Sequence, residues 1–174
     1  LEDAETTDKM IVSLGNLFRH NLRTKQQEVT LEEELDGLED YIYLQQMRFD
    51  GRITVEKQIL VAPARARLPS FSLQPGIENA FSHGLKACEE GGRILLRVWR
   101  QGRMLYVTVA DNGKGMTEEE LAALSEKMRQ SEQTGKSIGL GNIFRRVSML
   151  YPDTGKMQVF SRAGHGTVIR FEIP

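Results

Sequence analysis

At Gly51 the spacing of apolar residues changes. Before it they recur three and four positions apart, and after it they mostly alternate. The first rhythm suits helices and the second suits strands, so the chain is neither all-α nor all-β. A helix is expected from residue 4 to about residue 27. Met10, Ile11, Leu14, Leu17, Phe18 and Leu22 form its apolar stripe, with Lys9, Ser13, Asn16, His20 and Arg23 opposite. A second helix should start at Thr30, where Thr30 and Glu33 have the spacing of a capping box. Its stripe is Leu31, Leu35, Leu38, Ile42 and Gln45, flanked by Tyr41 and Leu44. Gly51 can end it, because glycine accepts a positive φ. The two helices read as a hairpin. Their apolar faces must pack on each other, on the rest of the chain, or on a second copy.

Downstream, Arg52 to Val61 reads as a strand or strand pair, and Pro63 and Pro69 punctuate a loop. Pro75 suits the first turn of a helix running to about Ala87. Arg93 to Arg100 and Arg103 to Ala110 form a hairpin about Gln101-Gly102. Asp111 to Met116 is a loop. Thr117 and Glu120 make another capping box, opening a helix to about Arg129. Ser131 to Lys136 is expected to lack regular structure. A helix from Asn142 to Tyr151 ends at Pro152, and Lys156 to Ser161 and Thr167 to Ile173 are the last strands. The expected architecture is α+β, with a helical segment over 1–51 and a mixed domain over 52–174.

Composition narrows the function. The 174 residues hold 23 Lys+Arg against 24 Asp+Glu, for a net charge of -1, so no general basic footprint for nucleic acid exists. Cys88 is the single cysteine, which excludes a disulfide framework and a cysteine-based zinc cluster. No apolar run reaches the ~18 residues of a membrane helix. The chain starts at Leu1 rather than Met and is expected to be a piece of something longer.

Four segments could carry chemistry. Asn79 and His83 lie four residues apart on one helical face beside Glu78 and Ser82, while Ile77, Phe81 and Leu85 point elsewhere. Such a polar set could hold a cation and a phosphate, although taken alone it reads first as a solvated face. Asp111 ends a strand in which Leu105, Val107 and Val109 alternate inward. A buried carboxylate needs a donor, and a purine amino group is one. Gly113 and Gly115 would let the backbone approach a flat ligand. An ordinary Asp-Asn-Gly turn is the plain alternative. It is not a calcium loop, because Met116 stands where an EF-hand needs glycine. Gly135-Lys136-Ser137-Ile138-Gly139 matches G-x-S-x-G formally, but no buried strand precedes it. Phe144 replaces the third glycine of a dinucleotide fingerprint. What remains is a glycine-bearing loop entering a helix N-terminus, a favourable place for phosphate. The fourth segment is the turn Gly164 to Thr167.

Taken in order, these segments resemble the ATP-binding domain of the gyrase, Hsp90, histidine kinase and MutL superfamily, the GHKL or Bergerat fold. Leu73-Gln74-Pro75-Gly76-Ile77-Glu78-Asn79-Ala80-Phe81-Ser82-His83-Gly84 resembles its N box, in the form found in sensor histidine kinases of the LytS/YesM type. Asp111-Asn112-Gly113-Lys114-Gly115-Met116 resembles the G1 box, Ser137 to Asn142 the G2 region, and Gly164-His165-Gly166-Thr167 the closing G-x-G-T. Leu14 to His20 and Val29 to Leu35 resemble the segment joining the phosphoacceptor helix to the catalytic domain.

The resemblance implies a two-layer α/β sandwich, a mixed sheet with helices on one face, preceded by a helical hairpin. It implies the catalytic module of a two-component sensor histidine kinase. Such a module passes the ATP γ-phosphoryl group to a histidine and then to a response regulator. ATP and Mg²⁺ are the implied cofactors. Asp111 would accept from the adenine amino group, with Thr167 supporting the ring and Gly113 and Gly115 admitting base and sugar. Asn79 would ligate Mg²⁺. Glu78 would orient or deprotonate the attacking group, and His83 would lie near the triphosphate. Backbone groups of Gly139, Leu140 and Gly141 would hold phosphate oxygens. Met116 to Ile138 would form a mobile lid, from which Lys136 reaches a phosphate.

Two departures stand out. Ser137 occupies a place where the family often has glycine, and no N-P-H-F-like acceptor motif is present. His20 reads as a surface histidine and His165 as an exposed turn residue. The acceptor is therefore expected upstream, on the chain's own preceding helix, in a full-length homodimer. A cytoplasmic place is expected, with any membrane contact through segments before Leu1. The alternatives are a GHKL ATPase that hydrolyses ATP, or a non-catalytic ATP-binding or dimerisation module.

Overall fold

The computed structural model describes residues 2–23, 26–134 and 139–174. Helix α1 spans Glu2–Arg23 and helix α2 spans Leu31–Arg48. They run antiparallel, with Lys9 over the Tyr43 ring and the Asn16 side-chain amide 3.5 Å from Asp40. The capping box at Thr30 is complete, since each of Thr30 and Glu33 hydrogen-bonds the other's backbone N–H. Asp50 and Gly51 both take positive φ, and the Gly51 N–H bonds the Gln46 carbonyl, which stops α2.

The strands are β1 Glu28–Thr30, β2 Ile53–Ile59, β3 Arg67–Pro69, β4 Gly92–Gln101, β5 Met104–Asp111, β6 Lys156–Ser161 and β7 Thr167–Ile173. Five of them form one sheet in the order β2-β4-β5-β7-β6. β2 and β4 are parallel, and the other pairs are antiparallel. A parallel pair needs a long crossover, and the segment carrying α3 (Gln74–Asn79) supplies it. The remaining helices are α4 Glu118–Thr134 and α5 Leu140–Leu150.

Strand alternation decides the core. Ile94, Leu96, Val98, Leu105, Val107, Val109, Ile169, Phe171 and Ile173 point to one face and are buried. Leu31, Leu38 and Ile42 of α2, Ile77 of α3, and Leu140, Ile143 and Val147 of α5 join the same core. The opposite face carries Trp99 stacked on Tyr106 at 5.2 Å, with Arg170 over both rings.

Several expectations need correction. The ribbon β1–β3 is too short to leave a period, and the sequence reading missed it. Residues 26 and 27 are not helical, so α1 stops short of the expected end. α4 continues to Thr134, so Ser131 to Thr134 are helical rather than irregular. The helix begun by Pro75 does not run to Ala87. It is α-helical to Asn79 and then widens into a π turn over Ala80–Gly84, where the Leu85 N–H reaches back to the Ala80 carbonyl. Ile77, Phe81 and Leu85 are all buried across that change. Among the described residues of the apolar stripe of α1, Leu17 is buried, while Met10, Ile11, Leu14 and Phe18 are exposed.

Candidate functional site

Asp111 is the last residue of β5, opposite Ile94 on one side and Thr167 on the other. The inward alternation of Leu105, Val107 and Val109 therefore delivers its carboxylate to the core end of the strand, where it is 9% exposed. Its Oδ1 accepts from the Gly113 N–H at 2.8 Å. Burial pushes the carboxyl above its ordinary value of 3.8, while hydrogen bonding from the backbones of Gly113 and Thr167 pulls the other way.

Three separate segments meet around this carboxylate. Gly84, at the end of the π turn, lies so near that a methyl group there would stand 2.6 Å from Asp111 Oδ1. A methyl on Gly113 would stand 2.1 Å from the Gly84 carbonyl oxygen, which also accepts from the Lys114 N–H at 3.0 Å. Gly166, at φ 80°, presses on the Asp111 backbone, and the Gly164 N–H donates to the Lys114 carbonyl at 2.7 Å. A Cβ would overlap backbone at Gly113 and Gly166, and the Asp111 carboxylate itself at Gly84, so glycine is required at all three. Thr167 is buried beside Asp111. Its Oγ1 lies 3.1 Å from Ser161 Oγ, which accepts from the Met116 N–H at 2.9 Å and donates to the Gly166 carbonyl at 2.8 Å. A buried carboxylate acceptor complements an amino group of a ligand.

The second half of the candidate site is helical. Asn79 is half-buried, and Glu78 and His83 are exposed. Glu78 lies close enough to Tyr41 of α2 to help burial push that phenol well above its usual range. Gly139 caps α5 at φ 65° with no side-chain cap, and Leu140 and Gly141 are buried in the first turn. That turn presents the positive end of the helix dipole. No group of three or more His, Cys, Asp or Glu able to hold a metal occurs among the described residues. A hard cation such as Mg²⁺ takes oxygen donors and needs few of them from protein. The Asn79 amide is a suitable hard oxygen donor.

Lys136, Ser137 and Ile138 lie outside the described residues, as does the side chain of His20. His165 is exposed, with Nδ1 3.1 Å from the Ala163 carbonyl oxygen. A cavity of about 430 Å³ lined by Val61, Ala62, Arg65, Ala66 and Arg100 lies toward the other end of β5 from Asp111.

Two residues escaped the sequence reading. Ser161 ends a strand like any serine and gave no signal. Glu34 falls three residues after Leu31 and four before Leu38, on the apolar stripe of α2, and that misplaced charge was readable. It is 4% exposed and accepts from the backbone N–H groups of Phe71, Ser72 and Leu73 at 2.6, 3.0 and 3.1 Å.

Residues 70–174 match the family of histidine kinase-, DNA gyrase B-, and HSP90-like ATPases, and residues 1–53 match a histidine kinase family. A relative is the sensor protein kinase HptS of Staphylococcus aureus, 30% identical over 165 residues. That alignment covers 95% of this chain and 32% of HptS, so the chain spans about a third of the relative's length. Among solved structures, the histidine kinase domain of the Erythrobacter litoralis EL346 blue-light activated kinase superimposes with a TM-score of 0.56 at 18% identity. The match covers 97% of this chain and 74% of that one. The nucleotide-free catalytic domain of histidine kinase ThkA gives 0.58 at 17% identity over 84% of this chain and 95% of that one. ThkA in complex with the response regulator TrrA gives 0.54 at 18% identity, covering 94% of this chain and 48% of that one. At these identities the structural likeness speaks for the fold.

Proposed function

We propose, because this chain belongs to the histidine kinase-, DNA gyrase B-, and HSP90-like ATPase family, that it is the catalytic module of a sensor histidine kinase. In this reading residues 52–174 bind ATP, and residues 1–51 belong to the helical region that presents a histidine to it. The observation that carries the reading is the meeting of Gly84, Asp111, Gly113 and Thr167 around one buried carboxylate.

Asp111 accepts a hydrogen bond from the adenine amino group, and Thr167 supports the ring beside it. Gly113 and Gly115 leave room for base and sugar. Asn79 would hold Mg²⁺, which would supply charge neutralisation at the phosphates. The dipole at Gly139 to Gly141 draws the phosphates toward α5. His83 stands by the triphosphate, and the segment from Met116 through α4 lies over it. An imidazole nitrogen of the acceptor histidine attacks Pγ, the bond from Pγ to the bridging oxygen breaks, and ADP leaves. Glu78 orients that imidazole or takes its proton. The chain's task is placement and charge stabilisation.

The acceptor histidine lies upstream of Leu1, and the phosphoryl group passes from it to an aspartate of a response regulator. The ThkA complex with TrrA supports that kind of partner. The exposed Ile11, Leu14 and Phe18 support self-association of α1 in a homodimer. We assign the module to the cytoplasmic side of a membrane sensor. No helix among the described residues is long and apolar enough to cross a membrane.

Labelled ATP tests the reading. The chain alone should bind ATP without labelling itself, and a longer protein carrying the upstream helix should become labelled on histidine. Rapid phosphate release by the chain alone would point instead to an ATPase. Absence of any ATP binding would leave a scaffold.

A further inference from the structure

Glu34 lies outside the nucleotide machinery, yet it is among the few buried charged or polar side chains of the described residues. Both its oxygens are engaged by the backbone at Phe71 to Leu73, immediately before α3. That turn is held in an unfavourable shape, because Phe71 is a non-glycine residue at φ 56°. Arg146 of α5 reaches the same turn from the other side. It donates to the Ser70 carbonyl and to Ser70 Oγ, the latter at 2.6 Å, and its guanidinium lies 5.5 Å from the Phe71 ring centroid. Ser70 is tied in addition to the loop after α1, through its N–H to the Gln27 carbonyl and its Oγ to the Gln26 carbonyl. One turn thus joins α2, α3 and α5. The last two carry Asn79 and Gly139 to Gly141, the metal and phosphate end of the site, while Asp111 and Thr167 belong to the sheet.

We propose that Glu34 and Arg146 are positioning residues that clamp the turn Ser70–Leu73, so that the lie of α2 sets the affinity of the phosphate half of the site and leaves the adenine half alone. The inference rests on the nucleotide reading above. A carboxylate accepting three N–H groups is hard to replace. Glutamine keeps the volume, but one of its two polar atoms is a donor facing donors. Removing Arg146 frees the turn from the α5 side while leaving the buried acid in place.

The measurement is a split in affinity. Mg²⁺-ATP binding by calorimetry and adenosine binding by chemical-shift titration are compared for the full chain, Glu34→Gln, Arg146→Ala and Arg146→Lys. The clamp predicts a loss of about tenfold or more for Mg²⁺-ATP in Glu34→Gln and Arg146→Ala, the scale of a hydrogen bond to a charged group. Adenosine affinity should stay within about twofold, and Arg146→Lys should recover part of the loss by donating to Ser70 again. A merely structural role would weaken both ligands in proportion, and that result overturns the proposal, as does unchanged Mg²⁺-ATP affinity. If Glu34→Gln does not fold, the Arg146 pair decides alone. Failure of the unsubstituted chain to bind either ligand would remove the nucleotide reading itself, and the clamp with it.

Discussion

Replacing Asp111 by asparagine should move affinity and stability in opposite directions. The carboxyl is 9% exposed, and burial raises it above its ordinary value of 3.8. An acid raised in the folded state helps stability most below its unfolded pKa and loses that contribution as pH rises through the folded one. At neutral pH the ionised group is therefore a burden to the unliganded protein. Asparagine is nearly isosteric, can keep the Gly113 N–H bond through its oxygen, and carries no charge to desolvate. Asp111→Asn should thus melt at the same temperature or higher in neutral buffer, with the advantage vanishing below about pH 4. Binding should respond the other way. Losing a charge-assisted bond to the adenine amino group is worth roughly 1.5–3 kcal/mol, or about a tenfold to hundredfold weaker ATP affinity. Calorimetric titration with Mg²⁺-ATP and a scanning melt across pH 4 to 8 measure both. For the unsubstituted chain, ATP affinity should fall as pH drops through the raised pKa, and the variant should lose that dependence. Unchanged affinity in the variant would refute the placement of the base, whatever the melting curve does.

Asn79→Ala should abolish the Mg²⁺ dependence of ATP binding while adenosine binds as before, read by titration with and without chelator. Gly84→Ala should lower stability by about 1–3 kcal/mol and weaken ATP as well, because the new methyl meets Asp111 Oδ1 at 2.6 Å. Gly15→Ala is the contrasting case, since its nearest neighbour is the Arg19 guanidinium at 3.9 Å. It should raise stability by up to about 1 kcal/mol on helix propensity. Phe18→Glu should leave the melt of the monomer unchanged and abolish self-association in sedimentation, and a chain that is monomeric before the change would sink the dimer reading.

Much of the fold was legible because it is written in local patterns. The capping boxes at Thr30 and Thr117, the positive-φ Gly51, the hairpin about Gly102 and the inward alternation up to Asp111 each depend on residues within one or two turns of each other. The ribbon β1–β3 did not show, because its pairing joins Thr30 to Arg67 across the chain and each strand has only three residues. The π turn at Ala80–Gly84 was equally silent, since Asn79 and His83 keep the same spacing in sequence whether the turn is narrow or wide. The end of α4 was misjudged because a polar stretch can be an exposed helix as readily as a loop.

The residue types and their order determined the helical segment, the strand alternation and the glycine-bearing boxes, because propensity, capping and periodicity act over a few residues at a time. Only the tertiary structure decided that Gly84, Gly113 and Gly166 converge on Asp111, and that Glu34 is spent on a backbone turn thirty-seven residues and more away. Those contacts depend on how the layers close over one another. A buried charge finds its partners wherever packing excludes water, not where the chain is near in sequence.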